Sequence, residues 1–451
     1  MRKMVFEKFL QEVPQYERFM TLEEIEKEFN KNLKTSVVEK KIIGNTIENK
    51  PLYMYELGKG EKTAMIIGVP HSDEPLGSLD LTFFVQWMIA HPEADFFNWR
   101  WLIIPVLEQR GMKMNEGWLS NFGSLEYMAK YNFREPTEDQ YEWSFPFTYK
   151  NYEWTQTRPE ANAVKETLRS EKPNLLCGLH HSGFYDTYYY FSHDLPEAYP
   201  ELRELATNLQ LPLSQNAPDV PFGETLTPGF YKMYGLKDYF NYYSKNEPES
   251  LLRLRRGACS DEWYQEEIGG FSFNCEVPLF NSLVNRDDKI SNRKLKELLQ
   301  ERKAKEQTII QYCTENLTKL EPSFNVAEPV LLNSLMKHLS TAILSLEHDE
   351  LRKQLATERN ATNFEVFEND IMSDVTNLLL IGQLWHVAKT INQNQKETKI
   401  TKLIEDLDYK IKTLATTTQI KGKFAPFSIQ KLVRMQLGSI LIISNILLND
   451  E

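Results

Sequence analysis

The sequence predicts an α/β protein: a mixed, mostly parallel central sheet with helices on both faces, followed by an all-α C-terminal region. Three observations lead there. Short apolar runs at residues 64–69, 101–107, 174–179 and 271–277 alternate with helix-like segments at 76–90 and 160–171, the pattern of buried strands joined by crossover helices. Near Asn292 the composition shifts to long amphipathic stretches with periodic Leu and Ile. A chain of 451 residues, 41% hydrophobic and 26% charged, has the length for a full core and more than one domain.

Residues 1 to about 60 contain a helix entered at Thr21-Leu22-Glu23-Glu24, which has the form of a capping box, with Ile25 and Phe29 at helical spacing. A hairpin-like segment follows, with Val37, Val38, Ile42 and Ile43 before Gly44, then residues 52–55 before Gly58-Lys59-Gly60. The helix over 76–90 carries Leu79, Phe83, Phe84 and Trp87 as its apolar positions. Beyond 292, a charged helix over 294–320 leads to a linker bracketed by Pro322 and Pro329. Further helices are expected at 331–355, 365–391, 398–416 and 428–448. Their Leu and Ile stripes read as core. The most apolar run, 437–448, is too short to span a bilayer and reads as a buried helix.

The formal charge of -12, from 64 acidic and 52 basic residues, disfavours nonspecific binding to nucleic acid or anionic membrane. Cysteine is sparse. Cys177, Cys259, Cys275 and Cys313 are expected as free, buried thiols rather than a disulfide framework. The first residues soon meet Glu7 and Glu12 and lack the apolar core of a signal peptide, so a cytoplasmic location is expected.

Chemistry concentrates at strand ends. His71 and Glu74 stand three residues apart in Gly68-Val69-Pro70-His71-Ser72-Asp73-Glu74, just past the first buried strand. Imidazole and carboxylate are both zinc ligands, and a tight turn after a strand can aim them at one point. Alone, HxxE is a weak signal. A catalytic zinc needs a third protein ligand, and Leu179-His180-His181-Ser182 offers two. Strand alternation puts His180 on the face of Gly178, whose missing side chain leaves room for a metal; His180 is favoured and His181 is the alternative. His91, His193, His338, His348 and His386 lack a partner at ligand spacing beside a strand end. Glu276 lies inside the apolar strand at 271–277. It is either an edge or ion-paired carboxylate or a general base whose burial raises its pKa.

Taken together these segments resemble the zinc carboxypeptidases, the carboxypeptidase A-like metallopeptidases, over about residues 15–285. The likeness runs through the helix entry at Thr21, Ile42-Ile43-Gly44-Asn45-Thr46, His71-Ser72-Asp73-Glu74 and the strand at 101–107. It continues in Arg158-Pro159-Glu160-Ala161, Leu179-His180-His181-Ser182, the loop Gly257-Ala258-Cys259-Ser260-Asp261-Glu262-Trp263 and Phe273-Asn274-Cys275-Glu276. The order and spacing of the segments carry it. The chain would be a divergent, bacterial-type member with a helical C-terminal extension: residues 1–325 a zinc carboxypeptidase-like catalytic domain, 326–451 a helical domain. The resemblance implies one Zn2+ per chain on His71, Glu74 and His180, with Glu276 activating water. It also implies a peptide or small amide substrate with a free carboxylate.

The family's anion-binding arginine has only a loose counterpart, Asn132-Phe133-Arg134, which makes Arg134 the first choice and Arg110 the second. Its mobile tyrosine has no clean match; Arg253-Leu254-Arg255-Arg256 stands ahead of Gly257, with Tyr242, Tyr243 and Tyr264 nearest. Tyr188-Tyr189-Tyr190 is open between pocket and core. The expected function is hydrolysis of a peptide or peptide-like amide by a metallocarboxypeptidase. The alternatives are a zinc amidase or deacylase of a small N-acylated amino acid and a non-catalytic binding protein on the same fold. The C-terminal helices offer a surface for self-association.

Overall fold

The computed structural model describes residues 2–33, 37–92, 98–215, 220–246, 248–251, 254–355 and 358–449. The chain divides into two compact units, each built from separate segments. Met1–Lys113, Thr137–Phe280 and Phe427–Glu451 form the first; Met114–Pro136 and Asn281–Pro426 form the second. The division therefore does not fall at a single point near residue 325: the last helix belongs with the sheet-bearing unit and residues 114–136 with the helical one.

In the first unit ten strands form one sheet: β1 Glu39–Asn45, β2 Pro51–Leu57, β3 Lys62–Ile67, β4 Trp99–Ile104, β5 Leu175–Gly178, β6 His181–Gly183, β7 Tyr188–Phe191, β8 Thr225–Thr227, β9 Phe230–Lys232 and β10 Phe271–Pro278. Their order is β1-β2-β4-β3-β5-β10-β7-β9-β8, with β6 also paired to β10. The centre, β4-β3-β5-β10, is parallel. β2 and β7 join it antiparallel on either side. This is the mixed α/β sheet that the alternating runs predict. β3 and β5 are buried almost end to end, as strands covered on both faces must be.

The helices follow from their stripes. The capping box at Thr21 forms, and Leu22, Ile25 and Phe29 of Leu22–Asn32 are buried. Leu76–Ala90 is buried nearly all round, which explains its lack of a polar face. Pro159 sits at the first position of Pro159–Glu171, where its missing N–H costs nothing. A helix at Arg2–Gln11 precedes all of these, unforeseen in the sequence. The last helix, Ile429–Asn449, has the expected length of 21 residues, shifted by one position. Its length and mean hydropathy of 1.4 would suit a bilayer span, yet 67% of the apolar window is buried, the mark of a core helix.

The second unit is helical: Leu295–Leu320, Pro329–Leu355, Ser373–Asn394 and Thr398–Gly422, with a short helix Leu125–Tyr131. The expected helix over 365–391 is interrupted by a π-helical turn, Phe367–Met372. That turn carries Asp370, and Asp374 follows it. Lys305 and Lys421 each reach both carboxylates, at 2.9 and 3.1 Å and at 2.6 and 2.7 Å. Gly382 is required by close packing, since a Cβ there would lie 1.7 Å from the Ala129 carbonyl oxygen.

Candidate metal centre

The first two residues of the site are aimed by a turn at the carboxyl end of β3. Val69 has φ 51°, a left-handed conformation that a β-branched residue adopts only under constraint. The constraint is visible: Gly68 N–H donates to Ile104 O, and Val69 O accepts from Glu108 N. The chain then turns, with Glu74 N–H donating to His71 O at 3.0 Å. His71 and Glu74 are each 5% exposed.

The third residue comes from the neighbouring parallel strand. β5 ends at Gly178, and His180, 6% exposed, follows. Its Nδ1 lies 2.8 Å from Glu74 Oε2, and its ring centroid is 5.1 Å from that of His71. Ligand-type atoms of His71, Glu74 and His180 lie within 4.8 Å of one another, all buried. Such a donor set, two imidazoles and one carboxylate, suits Zn2+. Gly178 serves the site differently from the expectation: a Cβ there would sit 2.7 Å from His180 Nε2. The glycine makes room for the imidazole itself rather than for an ion. His181 turns away, its Nε2 2.7 Å from Asp73 O.

Behind His180 stands a residue that the sequence did not flag. Glu142 Oε1 is 3.9 Å from His180 Nε2, and both Glu142 oxygens accept from Ser260 Oγ, at 3.0 and 3.1 Å. Glu142, Cys259 and Asp261 form a second buried group of ligand type, but here the donors are engaged. Cys259 Sγ caps the helix Ser260–Glu267 by accepting from Glu262 N, and Asp261 Oδ2 accepts from Asn274 Nδ2. Burial pushes the Glu142 carboxyl up to about 7 against the pull of His180, with Asp261 adding to the push. Burial lowers the His180 imidazolium, but Glu74, Glu276 and Glu142 together outweigh it and lift the group to about 10. Glu276 is therefore within electrostatic reach of His180. It is half-buried in β10, opposite Tyr188 of β7.

The other expected residues have these surroundings. Arg134 belongs to the second unit, where its carbonyl accepts from Ser334 Oγ. In the unit that carries His71, Arg158 is buried near Glu108 (3.6 Å) and Glu160 (3.4 Å). Arg256 lies over Trp143 and Tyr239, and Arg110 is half-buried. Glu160 is structural: its Oε1 accepts from Ile47 N at 2.8 Å, tying the β1–β2 hairpin to a helix. Tyr188, Tyr189 and Tyr190 are all buried, and Tyr188 and Tyr190 pack in one cluster with Tyr231. All four cysteines are free and buried. Arg253 and the side chain of His348 lie outside the described residues.

No family model matches this chain, and no curated protein does. Solved structures do. The chain is similar in structure to metallopeptidases and metallo-carboxypeptidases. A candidate metallopeptidase from Shewanella amazonensis aligns at 12% identity and TM-score 0.40, over 57% of this chain and 84% of its own. A metallo-carboxypeptidase from Burkholderia cenocepacia aligns at 14% identity and TM-score 0.36, over 57% and 60%. Bovine thrombin-activatable fibrinolysis inhibitor, solved with a tick carboxypeptidase inhibitor, aligns at 14% and 0.34, over 57% and 86%.

Proposed function

We propose that this protein is a zinc-dependent hydrolase of peptide or peptide-like amide bonds, of the carboxypeptidase type. One observation carries the reading: His71, Glu74 and His180 converge within 4.8 Å, buried, at the carboxyl ends of adjacent parallel strands. Ligands of α/β sheets bind at such strand ends. His71, Glu74 and His180 would hold the ion. When bound, Zn2+ supplies Lewis acidity and brings the pKa of water to about 7.

The chain's own residues do the rest. Glu276 takes the proton from water and returns it to the leaving amine, the work of a carboxylate close to the reacting atoms. Glu142, 3.9 Å from His180 Nε2, acts on the far side of the ring by charge. Burial of the three ligands keeps bulk water away and strengthens every charge interaction in the site. A free carboxylate on the substrate would be met by an arginine.

Metal analysis of the full chain tests this. One zinc per chain is expected, and it should be lost in His71→Ala. A wild-type chain that takes up no metal rejects the reading. Comparing peptides with free and amidated C-termini then tests the carboxypeptidase assignment; equal cleavage of the two removes the carboxylate anchor.

A further inference from the structure

The parallel ladder between β5 and β10 is interrupted at the site. It pairs Phe271 with Leu175 through to Asn274 with Gly178, then stops. It resumes as β6 against β10 only at His181 opposite Val277. The skipped residues are Leu179 and His180 on one side and Cys275 and Glu276 on the other. They include the proposed third ligand and the proposed base. Leu179 N–H still donates to Ile67 O of β3, so the break opens on the β10 side alone.

A side chain from the far end of the sequence fills that break. Gln436, in the helix Ile429–Asn449, is fully buried. Its Nε2 donates to His180 O and, at 2.9 Å, to Cys275 O. One amide group thus replaces the missing ladder bonds on both strands. One turn further along the same helix, Ser439 Oγ is 2.8 Å from Tyr189 Oη and donates to Met435 O at 2.7 Å. That contact ties the helix to β7, the other neighbour of β10. Gln436 Oε1 is buried with no hydrogen-bond partner among the described residues. A helix kept only for packing has no reason to retain an amide whose acceptor is left unsatisfied, because an apolar residue there would avoid the cost.

We infer that Gln436 is a positioning residue: its amide sets the separation of the His180 and Glu276 backbones and so the geometry of the metal centre. The inference rests on the metal-centre reading above. A residue behind a ligand is expected to change metal affinity by about 10–100-fold.

The test uses the full chain loaded with Co2+, whose visible ligand-field spectrum reports coordination geometry. Gln436→Met keeps length and volume but removes both donors. Gln436→Asn keeps the amide one methylene too short and serves if the Met variant does not fold. Ser444→Ala is the control, since that hydroxyl bonds to Leu441 O within its own helix. The expected result is an altered cobalt spectrum and an apparent Zn2+ affinity about 10–100-fold weaker in the Gln436 variants, with Ser444→Ala unchanged. A folded Gln436 variant with wild-type spectrum and affinity overturns the inference, even if its stability has dropped. A wild-type chain that binds no cobalt overturns the metal-centre reading instead.

Discussion

The two units of this chain cluster charge in opposite ways. In the helical unit, Asp370 and Asp374 face Lys305 and Lys421, two carboxylates against two ammonium groups, each lysine reaching both acids. The set is balanced by the protein itself. In the sheet unit, Glu74, Glu276 and Glu142 all act on the one imidazole of His180, and Asp261 adds to the acid load on Glu142. Buried carboxylates are costly unless paired or set around a metal. The first arrangement is half-buried and met by its own cations; the second is buried and includes the candidate metal-ligand set. On the proposed reading, the contrast separates a cluster that holds a fold together from one that binds an ion.

The sharpest way to break the contrast is at Glu276. If its carboxylate moves protons, Glu276→Gln should keep the metal and lose about 10²–10⁴-fold in kcat. Metal content and single-substrate kinetics on the same preparation check both halves. Unchanged turnover would make Glu276 one more structural acid, like those of the helical unit.

The helical unit offers a test of its own. His386 is buried, and burial depresses its pKa to about 4. Above pH 6.5 it is neutral in both folded and unfolded states and carries no penalty. Between 6.5 and 4 the unfolded chain accepts a proton that the folded unit refuses, so stability falls as pH falls. The total loss is up to about 3 kcal/mol and stops once pH drops below the folded value. His386→Leu should remove this slope. Urea unfolding of wild type and variant from pH 7.5 to 4.5 measures it, and parallel curves would show that His386 is not the titrating group.

Legibility in the sequence followed the range of the interactions. His71, Glu74 and His180 were visible because each lies one turn past an apolar strand, and adjacent parallel strands bring such ends together. The sheet was visible for the same reason, through its runs of buried residues. Arg134 could be named only from its loose motif, because residues 132–136 form no helix or strand that would aim it. Gln436 could not be found: a lone amide in a strongly apolar helix resembles a tolerated exception, and its partners lie 256 and 161 residues away. Glu142 left one faint trace, an acid set between Tyr141 and Trp143 in a segment with no periodic pattern. An acid flanked by aromatics is a candidate for burial.

Glu142 also carries the smallest of these effects and the finest test of the contrast. At 3.9 Å from His180 Nε2 it acts by charge rather than through a hydrogen bond. Its two oxygens are held by Ser260, through Oγ and through the backbone N–H at 3.2 Å. Glutamine at 142 would keep the shape but lose the charge, and would present an N–H₂ where Ser260 offers donors. The His180 ring would then lose the acid behind it while keeping Glu74 in front. If the acids of the sheet unit are there to serve a bound ion, Glu142→Gln should weaken Zn2+ binding about 10–100-fold. Glu276→Gln should leave that affinity close to wild type, because the proposal gives Glu276 to the water and not to the ion. Competition with a chromophoric chelator measures both. Equal affinity in wild type and Glu142→Gln would place Glu142 with Asp370 and Asp374, as a carboxylate that only holds the fold together.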